Sequence, residues 1–409
     1  MIDAAPRRAI RRRRLPLPPR SDTCERGPFS AGWKQGDPHV STLSGSSAQA
    51  RKPAAQSGRG GKARYAALDL GTNNCRLLVA EPDGAHFSVL DAFSRNVRLG
   101  EGVEHSGALS TAAMDRTIEA LRICAGKIRR HGPIRSRIIA TEACRRAENG
   151  RAFLRRVRRE TGLEMEMITP EQEARLALAG CAPLLDPEAE HLMVFDIGGG
   201  STELIWMDLS GVDLDERQSM IMALAPGRGG RGRAELRKRA RARVVDWISA
   251  PLGVATLNDA YQDVTDDRQR YALMAWLFEE HIQGFKPYAD DIAQTRLPKL
   301  QIIGASGTVT TLGALHLGLQ RYDRSKVDGM WLGRHAVDDM VGRLIDLGPH
   351  GRRGHPGVGA DRAQLVIAGS AILTTILRLW PVDKLRVADR GLREGLLYSL
   401  MWAERMEKA

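Results

Sequence analysis

Five cysteines in 409 residues, odd in number and never in a Cys-x-x-Cys pair, leave neither a disulfide framework nor a thiolate zinc site. That usage fits a reducing, cytoplasmic setting. None of the ten histidines stands at metal-ligand spacing, so an imidazole metal centre is not expected. No apolar run approaches the ~18 residues that a membrane span requires, so a membrane-spanning helix is not expected. Aromatic residues make up 5% of the chain and are not interleaved with its basic runs. Base stacking is therefore poorly supported, and nucleic acid is not an expected partner.

The charge is unevenly spread. Residues 1–64 carry 14 Lys and Arg against 4 Asp and Glu, and residues 228–243 carry eight basic residues against Glu235. The formal net charge is +12, so the rest of the chain is net negative. Residues 1–63, rich in Arg, Pro, Gly and Ser, have little to bury and are expected to be a disordered basic segment. No apolar core follows the run at 11–14, so this is not a secretory signal. A basic insert at about 226–244 reads as a solvated helix or loop, with a long-range pull on polyanions as the alternative.

Two stretches stand out against this background. In Asp196-Ile-Gly-Gly-Gly-Ser-Thr-Glu203 an apolar run ends in Asp, passes through three glycines and two hydroxyls, and gives way to a second apolar run. Strand, glycine turn, strand is a hairpin whose turn can aim several backbone N–H groups at one anion. In Asp69-Leu-Gly-Thr-Asn-Asn-Cys-Arg76 the design recurs: Asp69 matches Asp196 and Gly71 matches Gly198. A repeat at domain length predicts two similar halves facing each other across a cleft.

Between these stretches strands and helices alternate. Residues 87–92 read as a third strand, and Ser110 caps a helix whose apolar residues recur every three or four positions. Short strands follow at 137–140 and 164–168, and Pro170 opens a helix carrying Glu173. A later strand at 300–303 runs into Gly304-Ala-Ser-Gly-Thr308, a third candidate phosphate loop at a helix start.

Taken with Ala140-Thr-Glu-Ala-Cys-Arg145, Ile168-Thr-Pro-Glu-Gln-Glu173, Gly307-Thr-Val-Thr-Thr311 and Gly391-Leu-Arg-Glu-Gly395, these motifs resemble the exopolyphosphatase/guanosine pentaphosphatase (Ppx/GppA) family. They stand in the family's order over about residues 64–404. The resemblance implies an α/β fold of the actin-like, hexokinase-like ATPase superfamily, with two ribonuclease-H-like domains around a cleft. These would span about 64–168, completed by a C-terminal helix at 391–409, and 169–390. It further implies Mg²⁺-dependent release of terminal phosphate from inorganic polyphosphate or guanosine pentaphosphate. Either would be the chain's expected partner, as substrate, and a homodimer stays open. The helical module that follows in longer members is not expected. Ala305 and Ser306 replace two usual glycines, and Asp328 stands where many members have His.

Phosphoanhydride hydrolysis needs neutralised phosphoryl oxygens, a positioned water and an acceptor for its proton. Asp69, Asp196 and Glu203 are the candidate Mg²⁺ ligands, direct or through water, as a hard cation prefers. Gly71, Thr72, Asn73, Asn74, Gly198, Gly199, Gly200, Ser201 and Thr202 are the candidate phosphate cradle. Arg76 and Arg145 are candidate planar donors to phosphate oxygens. The resemblance places Glu173 on the family's catalytic glutamate, which makes it the candidate general base. A phosphotransferase or ATPase on the same fold, or a polyphosphate- or nucleic-acid-binding protein without activity, are the alternatives.

Overall fold

The computed structural model describes residues 63–84, 86–132, 135–227, 231–289, 297–360 and 362–408. Residues 1–62 of the expected basic leader lie outside them. Two mixed sheets form the framework. The first comprises β1 (Tyr65–Leu70), β2 (Asn74–Asp83), β3 (His86–Asn96), β4 (Arg135–Ala140) and β5 (Glu166–Met167), in the order β3-β2-β1-β4-β5. The second comprises β6 (His191–Ile197), β7 (Thr202–Asp208), β8 (Val244–Ala250), β9 (Leu300–Ser306), β10 (Trp331–Gly333) and β11 (Lys384–Ala388). Its order is β10-β11-β9-β6-β7-β8.

Apart from the edge strand β10, the two orders are the same: an antiparallel meander, then parallel strands beside its first member. β1 runs antiparallel to β2 and parallel to β4; β6 runs antiparallel to β7 and parallel to β9. The repeat legible in the hairpins thus extends to whole sheets, and the duplicated mixed sheet is the actin-like, hexokinase-like ATPase fold.

Alternation along each strand explains its near-continuous apolar sequence. Ala66, Leu68 and Leu70 enter a core shared with the helix Thr111–Arg130, while Tyr65 and Ala67 enter a second core on the opposite face. In β6, Met193, Phe195 and Ile197 face one core, and Leu192 and Val194 face another. A sheet covered on both faces has no polar side to spare. The helix Thr111–Arg130 begins as expected, with Ser110 Oγ accepting from Ala113 N at 3.2 Å. The strand expected over 164–168 shrinks to Glu166–Met167, because only β4 pairs with it.

Two helices join the sheets. Pro170–Cys181 starts with a capping box from Thr169 and Gln172 and sends Leu176 into one core and Leu178 into another. Leu392–Lys408 lays Leu396, Leu397 and Tyr398 on the first sheet. Where these helices cross, they touch backbone to backbone. A Cβ on Gly180 would lie 1.9 Å from the Gly391 carbonyl oxygen, and one on Gly395 would lie 2.0 Å from the Leu176 carbonyl oxygen. Gly395→Ala should therefore separate the helices and cost about 1–3 kcal/mol, the usual scale of overpacking. Thermal unfolding checks this; an unchanged melting temperature would show that the crossing yields freely.

Candidate active site

The glycine turns close on one cleft because each follows the first strand of a sheet. In the first turn Gly71 N donates to Asn74 O at 2.9 Å, and in the second Gly198 N donates to Ser201 O at 2.9 Å. The carbonyls of Gly198 and Gly199 are taken by the N–H groups of Val254 and Ala255, at the start of the helix Val254–Ala260. Among the described residues, the N–H groups of Thr72, Asn73, Gly199, Gly200 and Ser201 find no backbone acceptor. The two turns touch: a Cβ on Gly200 would sit 2.5 Å from Thr72 Oγ1, and one on Gly199 would sit 3.0 Å from Asn73 Cβ. Glycine at 200 is thus imposed by the facing turn.

Strand register distributes charge around these turns. Asp69 lies opposite Arg76 across β1 and β2, and Asp196 lies opposite Glu203 across β6 and β7. The repeat therefore presents a cation at one position in the first hairpin and an anion at the same position in the second. Directly opposite residues share a sheet face, so each pair points to one side.

Four acids converge here. Asp69, Glu173, Asp196 and Glu203 all line the cleft, with Glu173 and Glu203 buried. Burial raises the Asp196 carboxyl to about 7, helped by the charge of Glu173 and opposed by Arg76. Burial also raises Glu203 to about 7, helped by Asp196 and opposed by hydrogen bonds from Ser201 and Ser249. Ser249 Oγ donates to Glu203 Oε1 at 2.8 Å. Glu173 is pushed well above the usual carboxylate range by burial and by Glu203, against the pull of Arg145. Asp69 is raised by burial, against Arg76 and Arg393, and its Oδ1 is buried with no hydrogen-bond partner.

Crowded, desolvated carboxylates of this kind fit a cation. Among the described residues no three His, Cys, Asp or Glu side chains are grouped as a ready-made metal cage. The donor set suits Mg²⁺, which keeps several waters and takes one or two carboxylates together with phosphate oxygens.

Thirteen of the fifteen sequence-derived residues line the cleft: Asp69, Gly71, Thr72, Asn73, Asn74, Arg76, Glu173, Asp196, Gly198, Gly199, Gly200, Ser201 and Glu203. Two are set back from it. Thr202 is fully buried and donates its hydroxyl to Leu252 O at 2.7 Å, so the hydroxyl is spent on holding the following loop. Arg145, expected to meet phosphate, donates instead to Glu173 Oε2 and Glu142 Oε2, each at 2.7 Å, and to Ile168 O at 2.9 Å. It orients the glutamates from behind.

Other lining residues had no place in the sequence-derived site. Glu142 follows β4, Ser306 ends β9, and Gly307, Thr308 and Thr311 come just after it; β4 and β9 are the strands parallel to β1 and β6. The candidate third phosphate loop was the signal for the second group. Arg393 follows Gly391 in a recognised motif, whereas Arg362, which donates to Thr311 Oγ1 at 2.9 Å, carries no sequence signal. The Gly391 turn is wired in place. Asp328 accepts from Asp389 N at 3.0 Å and pairs with Arg390, and Glu394 accepts from Gly391 N at 2.9 Å.

A family model described as the Ppx/GppA phosphatase family matches residues 78–404, well over half of the chain. The chain belongs to the Ppx/GppA phosphatase family. It is similar to a solved Aquifex aeolicus PPX-GPPA enzyme at 30% identity and TM-score 0.62, covering 82% of this chain and 99% of that one. It is also similar to an exopolyphosphatase-like protein at 26% identity and TM-score 0.66, covering 84% of this chain and 99% of that one. An exopolyphosphatase from Cytophaga hutchinsonii shares its fold at 22% identity and TM-score 0.68, covering 83% and 97% of the two chains. No helix among the described residues is long and apolar enough to cross a membrane.

The raised carboxyls give a Ppx/GppA protein of this sequence a definite pH signature. A folded-state value near 7, above the usual range near 4, means folding favours the protonated acid. That contribution is full below pH about 4 and is lost as pH rises through about 7. Asp196→Asn removes one such group, so without divalent cation it should gain stability relative to wild type between pH 4 and 8. Mg²⁺ at pH 8 should reverse the order. Chemical denaturation of both proteins across pH checks this, and a pH-independent difference would place Asp196 outside the crowded set.

Proposed function

We propose that this chain is an Mg²⁺-dependent phosphohydrolase that releases the terminal phosphate of inorganic polyphosphate, with guanosine pentaphosphate as a second candidate substrate. The observation that carries this reading is the meeting of two glycine turns, with free N–H groups, beside a buried glutamate. Polyphosphate is suggested by the family and by the names of its solved exopolyphosphatase members.

The N–H groups of Thr72, Asn73, Gly199, Gly200 and Ser201, with Arg76, receive the oxygens of the terminal phosphoryl group. Asp69, Asp196 and Glu203 would hold Mg²⁺, whose chemistry is to offset the charge of the phosphoryl oxygens. Glu173 takes the proton of the attacking water as the new oxygen–phosphorus bond forms and the anhydride bond breaks. Its raised affinity for protons suits a base, and the ion pair with Arg145 at 2.7 Å fixes its rotamer. Donors already in place need no reorganisation as charge develops.

Phosphate release from polyphosphate and from guanosine pentaphosphate, measured side by side with Mg²⁺, tests the reading. Phosphoryl transfer to an acceptor without phosphate release would replace it with the phosphotransferase alternative. Glu173→Gln changes shape little and removes basicity, so it should keep phosphate binding and lower kcat by about 10²–10⁴-fold. Activity within about threefold of wild type would remove Glu173 from the role of base. Asp196→Asn should instead raise the Mg²⁺ concentration needed for half-maximal rate, with partial recovery at high Mg²⁺. An unaltered Mg²⁺ titration would make Asp196 structural.

A further inference from the structure

The carboxylate of Glu142 stands between the buried base and the surface. β4 ends at Ala140, and Thr141 N donates to Leu70 O at 3.1 Å, so the short helix Glu142–Arg146 starts beside the first glycine turn. Arg145, one turn on, brings its guanidinium back to Glu142, as residues three apart on a helix can. Glu142 Oε2 accepts from Arg145 Nη2 at 2.7 Å and from Nε at 3.2 Å. Arg145 Nη1 donates to Glu173 Oε2 at 2.7 Å and to Ile168 O at 2.9 Å. Four of the five N–H groups of the guanidinium are thereby committed.

A chain of alternating charge continues outward. Glu142 Oε1 lies 3.9 Å from Arg146 Nε, and Arg146 Nη2 pairs with Glu104 Oε2 at 2.7 Å. Glu173, Arg145, Glu142, Arg146 and Glu104 thus run from the buried base to an exposed carboxylate. Glu142 is itself buried and lines the cleft. With Thr72 and Gly200 it also borders a small polar cavity of about 20 Å³, room for one water. A Cβ on Gly200 would lie 3.2 Å from Glu142 Cγ, so this side chain packs directly against the second glycine turn. Truncating it would enlarge the cavity and let water replace the carboxylate at Arg145.

We propose that Glu142 is a positioning residue for phosphate release: it holds Arg145 in the orientation that presents Nη1 to Glu173, and so keeps the base aimed at the attacking water. This rests on the phosphohydrolase reading. Nε and Nη2, on one edge of the guanidinium, meet the same carboxylate oxygen, which fixes the rotation of the guanidinium plane. Nη1 alone, shared between Glu173 and a main-chain carbonyl, would leave that plane free to turn. Glu173 needs such a hold. Asp69 and Glu203 repel its carboxylate, and Arg145 is its one ion-pair partner among the described residues. Glu142 therefore acts through Arg145 and not on the substrate.

The test uses the full chain with Mg²⁺ and measures kcat and KM on polyphosphate for Glu142→Ala, Glu142→Gln, Arg145→Ala and the double variant Glu142→Ala/Arg145→Ala. Glu142→Ala should lower kcat by about tenfold to a hundredfold, the scale of a misplaced group, and leave KM within about twofold. Glu142→Gln keeps an acceptor oxygen for both N–H groups and should recover part of that loss. Because Glu142 acts through Arg145, the double variant should be no slower than Arg145→Ala alone. Losses that multiply, an unchanged kcat, or a raised KM alone would make Glu142 a support of the Gly200 turn and overturn the proposal. A second readout needs no turnover. The Nε–H proton of Arg145, assigned by its absence from Arg145→Lys, should exchange slowly by NMR in wild type and Glu142→Gln, and rapidly in Glu142→Ala. Should wild type release no phosphate from polyphosphate or guanosine pentaphosphate, the parent reading fails separately. The exchange rates then decide the positioning alone: equal rates in wild type and Glu142→Ala overturn it, and faster exchange in Glu142→Ala supports it.

Discussion

The burial of four carboxylates in one cleft, with like-charge repulsion added for Glu173, Asp196 and Glu203, is the constraint around which this molecule is arranged. Asp69, Glu173, Asp196 and Glu203 come from both sheets and from a connecting helix, and each is harder to ionise in the fold than in water. A protein driven only by stability would not gather them. Burying charge without a partner is costly, and the local counter-charges, Arg76 and Arg145, offset it only in part. The duplicated sheet places the acids within one cleft, and the glycine turns beside them offer N–H groups of the opposite polarity. A cation bridging the acids to an anion held by the turns satisfies both sets at once.

The fold supports that arrangement at some expense to itself. The helices Pro170–Cys181 and Leu392–Lys408 approach so closely that glycine is required at 180 and 395. Their crossing lies directly behind Gly391, where an added Cβ would come 3.6 Å from Asp196 Oδ2. Small residues at the crossing therefore set how near the two halves of the site come to one another. The pairing of Asp328 with Arg390, and of Glu394 with the Gly391 amide, holds the same turn from its far side.

Much of this is legible in the chain itself. Asp69 and Asp196 could be matched because a strand ending in Asp-x-Gly is a local pattern, and locality is what a sequence displays best. The third phosphate loop at 304–308 was visible for the same reason. Arg145 and Thr202 sit back from the cleft because Glu173 and the Leu252 carbonyl hold them there, and both partners are distant in sequence; Glu142, three residues before Arg145, is the one local partner among the three. Arg362 was invisible, since nothing around it differs from an ordinary polar loop. The insert is the instructive failure. A run of arginines reads as solvated, yet Arg233 and Arg237 are consumed by main-chain carbonyls, which no pattern of side chains can announce.

If the crowded acids are a cation site, cation binding must displace protons from them. Calorimetric titration of Mg²⁺ into the full chain, repeated in buffers of different ionisation enthalpy, counts those protons directly. The account predicts measurable proton release near pH 7, to which burial raises the Asp196 and Glu203 carboxyls, fading to none by about pH 9. Asp196→Asn should lose part of that release. Mg²⁺ binding with no proton release at pH 7, or no binding at all, would contradict it.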